Sequence, residues 1–576
     1  MRKSLLAISL SIFWISITAQ IHYSLDGAER YNNHQKFSTG NKTPHRLIGG
    51  LNSPGYLIIT VPKYLTAVNK LIDWKRTFGF DVRLACQNSW NDTLIYNTVY
   101  NEYNNYNIKY LLIVGDFEDV PGKQTSNTLS VEGNLRTYTF YTDYYYGCME
   151  NDYTPSIGRG RISVSTVAEA LTVIDKIINY ERNPINDSYF YNTAINCSSF
   201  TDEDFDGKDD DMCSWITERI SNYMESQICQ NIQRIYWASN NVNPLYWYDG
   251  SPIQSNLLRA NGFGWHGNNE DIKDKINEGV LYALHESHGN YNLWGEPYFY
   301  ISDINSLDNG DKLPVVFSMN CLTGKYIAST CFAEAFLRKA DGGCVAIIAP
   351  SEETASGYDE ALTVGMFDAI WPSNGYFTSI PYCNPVVLYS SPTYRLGDVL
   401  DVGFANMATI INYNDNHALK HTKEAFHLFG DPSMEIYTAK PTSFSNVSIE
   451  ESNNYVHVSV SEEARISFYN TFSGEVESCY DIYATHPKTD GLRICISGHN
   501  RIPLIIDQDV LFLQNYEIAS PVTYKADTIK VGTNVTSLKA SGDLTFKNGI
   551  SVLQGEVVEL YDNTTITANA QVEIRN

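Results

Sequence analysis

Short, unbroken apolar runs alternate with stretches of helical spacing through most of the chain. Tyr56 to Val61 is one such run, and Val68, Leu71, Ile72 and Trp74 then fall on one face of a helix expected over residues 65–78. A second buried strand is expected over residues 110–114, closed by Gly115 and Asp116, with another amphipathic helix over 164–180. The texture resumes at 281–284, 315–319 and 344–349, where each apolar run ends in polar or small residues. Strands that are apolar on both faces, alternating with helices, predict an α/β sheet covered by helices.

Beyond about Ala439 the period changes. Residues 447–506 alternate strand-like and turn residues with little helix, as a small β-sandwich does. Residues 525–574 carry short β runs punctuated by Gly532, Gly542, Gly549 and Gly555, the pattern of a small β-repeat or solenoid cap. At the other end, Arg2 and Lys3 precede an apolar stretch from Leu5 to Ile17 and small residues around Ala19, which reads as an export leader. That stretch is shorter than the roughly 20 residues a membrane span needs. The expected organisation is a leader at 1–19, an N-terminal segment at 20–53, α/β halves at 54–185 and 186–438, a β-sandwich at 439–518 and a β-rich segment at 519–576. The expected location is the secreted fraction or the outer cell surface.

With 41 basic against 66 acidic residues and no long Lys/Arg run, nucleic acid is not an expected partner. A hydrophobic fraction of 43% is enough for conventional cores and argues against a disordered chain. The 11 cysteines are an odd number, so an exported chain keeps at least one thiol outside internal disulfides. Cys479 and Cys495 lie in one strand-rich region and are candidates to pair.

An unpaired thiol directs attention to histidines. The run from Leu281 leads to His285, Glu286, Ser287, His288 and Gly289, and the run from Val315 leads to Asn320 and Cys321. Thiolate attack on a peptide carbonyl needs a thiol paired with an imidazole, which then protonates the leaving amine. A glycine after the histidine lets substrate approach its backbone N–H, and the N–H of Cys321 is a second donor to the oxyanion. Reactive groups in open α/β sheets gather at the carboxyl ends of strands, where both residues fall. Either element alone is weak, since a lone His-Gly is usually a turn and a lone cysteine usually packs as a small hydrophobe. His285 lacks the following glycine and is assigned a structural role.

A strand ending in His-Gly followed by one ending in Cys resembles the clan of caspases, legumains and gingipains. Several further motifs resemble the gingipain-like cysteine peptidase family in particular. They are Val61-Pro62-Lys63 before a helix with Asp73-Trp74-Lys75, Val114-Gly115-Asp116 with Asp119-Val120-Pro121, Ile157-Gly158-Arg159 and Tyr180-Glu181-Arg182. Phe332 to Ala335 follows the cysteine, and Phe429 to Ser433 closes the domain in the family's manner. Residues 494–505 resemble the immunoglobulin-like domain that gingipains carry next, so the resemblance spans about 54–515.

The resemblance implies an α/β caspase-like catalytic domain of two subdomains, followed by an immunoglobulin-like β-sandwich and a short β-rich segment. It implies a cysteine endopeptidase acting on proteins or peptides, with Cys321 as nucleophile and His288 as acid/base. An acid from the first subdomain is expected to orient the histidine; Asp152 is the candidate and Asp143 the alternative. Asp359 and Glu360 resemble a segment near the family's S1 pocket, implying a preference for basic P1 residues. Asn320 departs from the small residue that usually precedes the clan's nucleophile. The catalytic domain opens soon after the leader, so removal of a large prodomain is not expected.

A second constellation is acidic. Asp202, Asp204, Asp206 and Asp210, with Gly207 among them, follow the start of a calcium loop, but Cys213 stands where the closing glutamate belongs. Structural calcium and a solvated acidic turn are both open readings, and no metal is expected in the chemistry. Two rival functions remain: a processing peptidase of exported proteins, and a catalytically silent surface adhesin that keeps the fold.

Overall fold

The computed structural model describes residues 53–575, apart from 132–133, 151, 328–329, 378–390, 412–415, 453, 508–509, 527 and 556. The expected leader and nearly all of the 20–53 segment lie outside the described residues.

The α/β part is built on one ten-stranded sheet. Its strands are β1 (Gly55–Thr60), β2 (Asp81–Cys86), β3 (Ile108–Val114), β4 (Gly158–Ile162), β5 (Thr193–Phe200), β6 (Asn231–Ala238), β7 (Tyr282–Glu286), β8 (Val315–Met319), β9 (Ala346–Pro350) and β10 (Phe426–Phe429). They lie in the order β2-β1-β3-β4-β10-β9-β8-β7-β5-β6. Neighbours are parallel except at β9 and β10, where Ile347 faces Phe429 and Pro350 faces Phe426 in an antiparallel pair. The sheet is therefore two parallel halves running in opposite senses. β10, encoded last, pairs with β4 of the first half. The apolar strand runs are buried throughout, as their sequence requires.

Buried charge locks the first half together. Lys75 on helix Leu65–Thr77 lies 2.7 Å from Glu181 on helix Val167–Arg182 and 2.8 Å from Asp431, just after β10. The Tyr56 hydroxyl donates to Asp431 at 3.1 Å, so β1 joins the same knot. Lys176 crosses to the second half and donates to the carbonyls of Leu337, Lys339 and Gly342, capping helix Phe332–Arg338 at its carboxyl end.

The C-terminal region is all β, as expected. Strands Asn446–Ser452, Tyr455–Asn470, Val476–Pro487, Leu492–Ser497 and Leu504–Asp507 form an antiparallel arrangement. From Val510 onward the pairing turns parallel: Val510–Leu513 aligns with Thr528–Val531 and then Val557–Leu560. Tyr516–Ile518, Leu544–Phe546 and Thr564–Ile566 form a second column. Thr523–Lys525, Gly549–Gln554 and Ala570–Arg575 form a third. The three columns make a short three-faced solenoid whose first rung shares edges with the antiparallel strands. This region docks on the α/β part, where Ser467 donates to the Thr77 carbonyl at 2.6 Å and Arg493 meets Asp73 at 3.1 Å.

One expectation is corrected here. Cys479 and Cys495 are both free thiols. Cys479 pairs across from Ile466 and Cys495 across from Ser467, adjacent residues of one strand. Successive residues of a strand face opposite sides, so the two sulfurs are on opposite faces of the sheet. No helix among the described residues is long and apolar enough to cross a membrane.

Candidate active site

β7 and β8 are parallel neighbours in register, His285 beside Ser318 and Glu286 beside Met319. Their carboxyl ends are therefore level, and residues 287–289 and 320–322 leave the sheet side by side. Asn320 fastens the two exits. Its Oδ1 accepts the Ser287 N–H at 3.0 Å, and its Nδ2 donates to the His285 carbonyl at 2.9 Å. This explains the departure at that position, because alanine could make neither bond.

Gly289 is required by contact rather than by its dihedral angles. A Cβ there would sit 2.7 Å from the Asn320 Cβ and 3.0 Å from Thr323 Cγ2. His285 is structural, as expected. It is fully buried, stacks on Trp294 at 4.5 Å, and its ring nitrogens lie 3.0 Å from Asn320 Oδ1 and from the Pro297 carbonyl. Burial pulls its pKa down to about 4, so the ring is neutral near pH 7.

Cys321 is held from the opposite wall. The Thr354 N–H points at Sγ from 3.5 Å and the Thr354 hydroxyl lies 3.7 Å away, while that hydroxyl donates to Asp359 at 2.5 Å. Burial pushes the thiol up, the Asp359 charge adds to this, and the Thr354 donors oppose it. His288 is 59% exposed and turned toward Asp211, with Nε2 3.9 Å from Oδ2. The imidazole is thus exposed to solvent beside the loop that carries Asp211.

The acid beside the histidine is one the sequence reading did not pick. Asp152 accepts the N–H of Thr154 at 3.1 Å, in an exposed turn. Asp143 is buried in a two-pronged pair with Arg161, at 2.7 and 2.8 Å. Among the described residues, the carboxylate within ion-pair distance of His288 is Asp211. Its placement is built locally. Asp209 is buried and accepts the Asp211 N–H at 3.3 Å and the Thr201 N–H at 3.0 Å, pinning the loop after β5.

That loop also gathers the acidic motif. Carboxylate oxygens of Asp202, Asp204 and Asp210 lie within 4.8 Å of one another. Asp206 is not part of that cluster, since its Oδ1 accepts the Lys208 N–H at 2.8 Å. Gly207 takes φ +85°, the left-handed turn that the motif's glycine supplies.

Asp359 and Glu360 begin helix Tyr358–Ile370, both buried. Glu360 accepts the Ser356 hydroxyl at 3.2 Å and the Gly357 N–H. Glu286, at the end of β7, is buried close enough to both to feel their charge. Burial raises its carboxyl well above the usual range, with Glu360 and Asp359 adding to the effect. Burial likewise raises Asp359, and Glu360 reinforces it.

A thiol and an imidazole at the level ends of two parallel strands, with an acid behind the imidazole, define a cysteine-peptidase type of site. A family model described as peptidase family C25 matches residues 50–437, and the chain belongs to that family of cysteine-type peptidases. Among curated relatives, Gingipain R2 of Porphyromonas gingivalis is 26% identical over 308 residues, covering 51% of this chain and 36% of the relative. Lys-gingipain W83 of the same species is 23% identical over 412 residues, covering 67% of this chain and 21% of the relative. The chain thus spans about a third or less of the length of these relatives. A crystal structure of the Arg-specific cysteine proteinase gingipain R (RgpB) aligns with TM-score 0.61 and 21% identity, over 80% of this chain and 99% of that one. A complex of the RgpB pro- and mature domains aligns with TM-score 0.59 and 21% identity, over 78% and 99%.

Proposed function

We propose that this protein is an exported cysteine endopeptidase in which Cys321 and His288 form the catalytic dyad and Asp211 positions the histidine. The observation that carries the reading is the level exit of β7 and β8, which puts Cys321 and His288 on neighbouring strand ends with Asn320 fastening them. His288 takes the thiol proton as Sγ attacks the scissile carbonyl carbon. The backbone N–H groups of Gly289 and Cys321 receive the oxyanion. The imidazolium then gives its proton to the leaving amine, and a thioester remains on Cys321. Water, deprotonated by His288, attacks the thioester and restores the thiol.

The buried acids Glu286, Asp359 and Glu360 support a basic P1 residue. Three buried carboxyls that repel one another gain most from a cation entering between them. The structural relative gingipain R is Arg-specific, and arginine is a residue of that class.

Asp202, Asp204 and Asp210 are the residues that would hold a calcium ion. Three hard carboxylate donors converging within 4.8 Å fit that ion's chemistry. Its contribution would be to brace the loop that ends in Asp211, with no part in bond making.

The test is hydrolysis of a fluorogenic peptide panel varied at P1, under reducing conditions with calcium. Cleavage after Arg or Lys by the wild type and none by Cys321→Ala is the expected result. Cleavage that survives the substitution sinks the dyad. No turnover by either protein, including after limited proteolysis, favours the adhesin reading. Chelation should lower thermal stability and be reversed by calcium; an unchanged melting curve removes the ion from the account.

A further inference from the structure

Where the catalytic part meets the C-terminal β region, a cavity of about 310 Å³ is lined from both sides. Tyr394, Arg395 and Glu435 come from the catalytic part, and Arg465, Tyr480 and His499 from the β region. Two of its charges are already matched to each other. Arg395 meets Glu435 at 2.9 Å and donates to the Ser433 carbonyl at 2.6 Å. The other oxygen of Glu435 lies 3.1 Å from His499 Nδ1. Asp398, on the same wall, accepts the Tyr110 hydroxyl at 2.7 Å.

Arg465 is different. Among the described residues it makes no ion pair and no hydrogen bond, and its recorded neighbour is the Phe80 ring, 5.5 Å from the guanidinium carbon. Burial pulls its pKa down to about 10, and the nearby Arg395 charge acts in the same direction while Glu435 opposes them. A guanidinium that faces a cavity beside a second guanidinium is an oxyanion receptor. Its fork of parallel N–H donors matches the spacing of carboxylate and phosphate oxygens. The half-buried guanidinium has no partner among the described residues, and an anion bound in the cavity would supply one. Tyr394 stacked on His499 at 3.4 Å adds a flat wall along one side.

We propose that this interdomain cavity binds a small oxyanion, a carboxylate or a phosphate, with Arg465 as its principal ligand. The bound anion joins strand Tyr455–Asn470 to the segment that opens helix Leu396–Ile410, and so fixes the β region on the catalytic part. It needs neither Cys321 nor His288, so it is independent of the proteolytic reading.

The experiment is calorimetric titration of the full chain, in a Cys321→Ala background to prevent self-cleavage, with inorganic phosphate and separately with acetate. Ionic strength is held constant with chloride. Saturable binding is expected, with a rise in melting temperature. Arg465→Gln should weaken binding at least tenfold, while Arg465→Lys, which keeps charge but loses the fork, should weaken it several-fold. Tighter acetate than phosphate would assign a carboxylate ligand, and the reverse a phosphate. Should Arg465→Gln fail to fold, Arg465→Lys carries the comparison alone. Absence of saturable binding, or binding untouched by both substitutions (an adventitious ion only), overturns the proposal.

Discussion

Asn320 accepts the backbone N–H of Ser287 at 3.0 Å, so the residue before Cys321 holds the segment that carries His288. Its amide nitrogen returns to the same segment at the His285 carbonyl. One buried side chain therefore sets the spacing between the two strand exits, and with it the placing of Cys321 relative to His288.

Replacing Asn320 with alanine should leave the buried Ser287 N–H without a partner. A loss on the order of 1–3 kcal/mol is expected from that change. Denaturant melts would measure it, and kcat should fall together with stability. A fully stable, fully active variant would show that the exits are spaced by something else.

Cys321→Ala should abolish turnover, by ~10⁴-fold or more, while the melting temperature stays within a few degrees. His288→Ala should come close to the same loss. Because the two residues act as a unit, the double variant should be scarcely worse than either single one. Additive losses would mean that the residues act separately.

Asp211→Asn should lower kcat about tenfold with KM little changed, the outcome expected of the proposed orienting role. Asp152→Asn, altering an exposed turn, should have no effect. Steady-state kinetics on the pair decides between them, and the opposite ranking would return the orienting role to Asp152.

Thr354 donors oppose the burial that pushes the Cys321 thiol up. Thr354→Val should therefore raise the thiol further, and alkylation by iodoacetamide near pH 7 should slow several-fold. Thr354→Ser should restore the rate. Equal rates in all three proteins would separate Thr354 from the thiol's ionisation.

Burial alone would raise Glu435, but Arg395 and then His499 outweigh it and draw the carboxyl down to about 2. The native state thus holds the proton less tightly than the unfolded chain, whose carboxyl titrates near 4.5. The resulting stabilisation is complete above that value and lost as pH falls toward 2. Glu435→Gln should flatten this part of the acid limb in melts taken between pH 4.5 and 2. An unchanged limb would contradict the assignment.

Much of the fold was legible because buried parallel strands are unbroken apolar runs, and β8 was located to the residue. The proposed dyad could be drawn for the same reason, since His288 and Cys321 lie within a few residues of the ends of such runs. The nearness of Asp211 to His288 could not. Asp211 reaches His288 from the loop after β5, a long-range approach that no local pattern encodes, and its neighbours' regular spacing of acids points to a metal instead. That Arg161 donates to both oxygens of Asp143 is likewise a long-range pairing that no local pattern encodes. The candidate Cys479–Cys495 pair missed because proximity in sequence says nothing about which face of a sheet a side chain takes.

The return of β10 to the first half has a consequence for the chain as a thread. Phe429 lies beside Arg161 although the whole second half is encoded between them. A single cut near residues 183–187, between the halves, would sever the covalent path but not the particle. The later fragment would still own a strand woven into the earlier one, and Lys75 would still grip Asp431 across the break. Such a nicked molecule would migrate as two bands under denaturing conditions and as one species in native sizing.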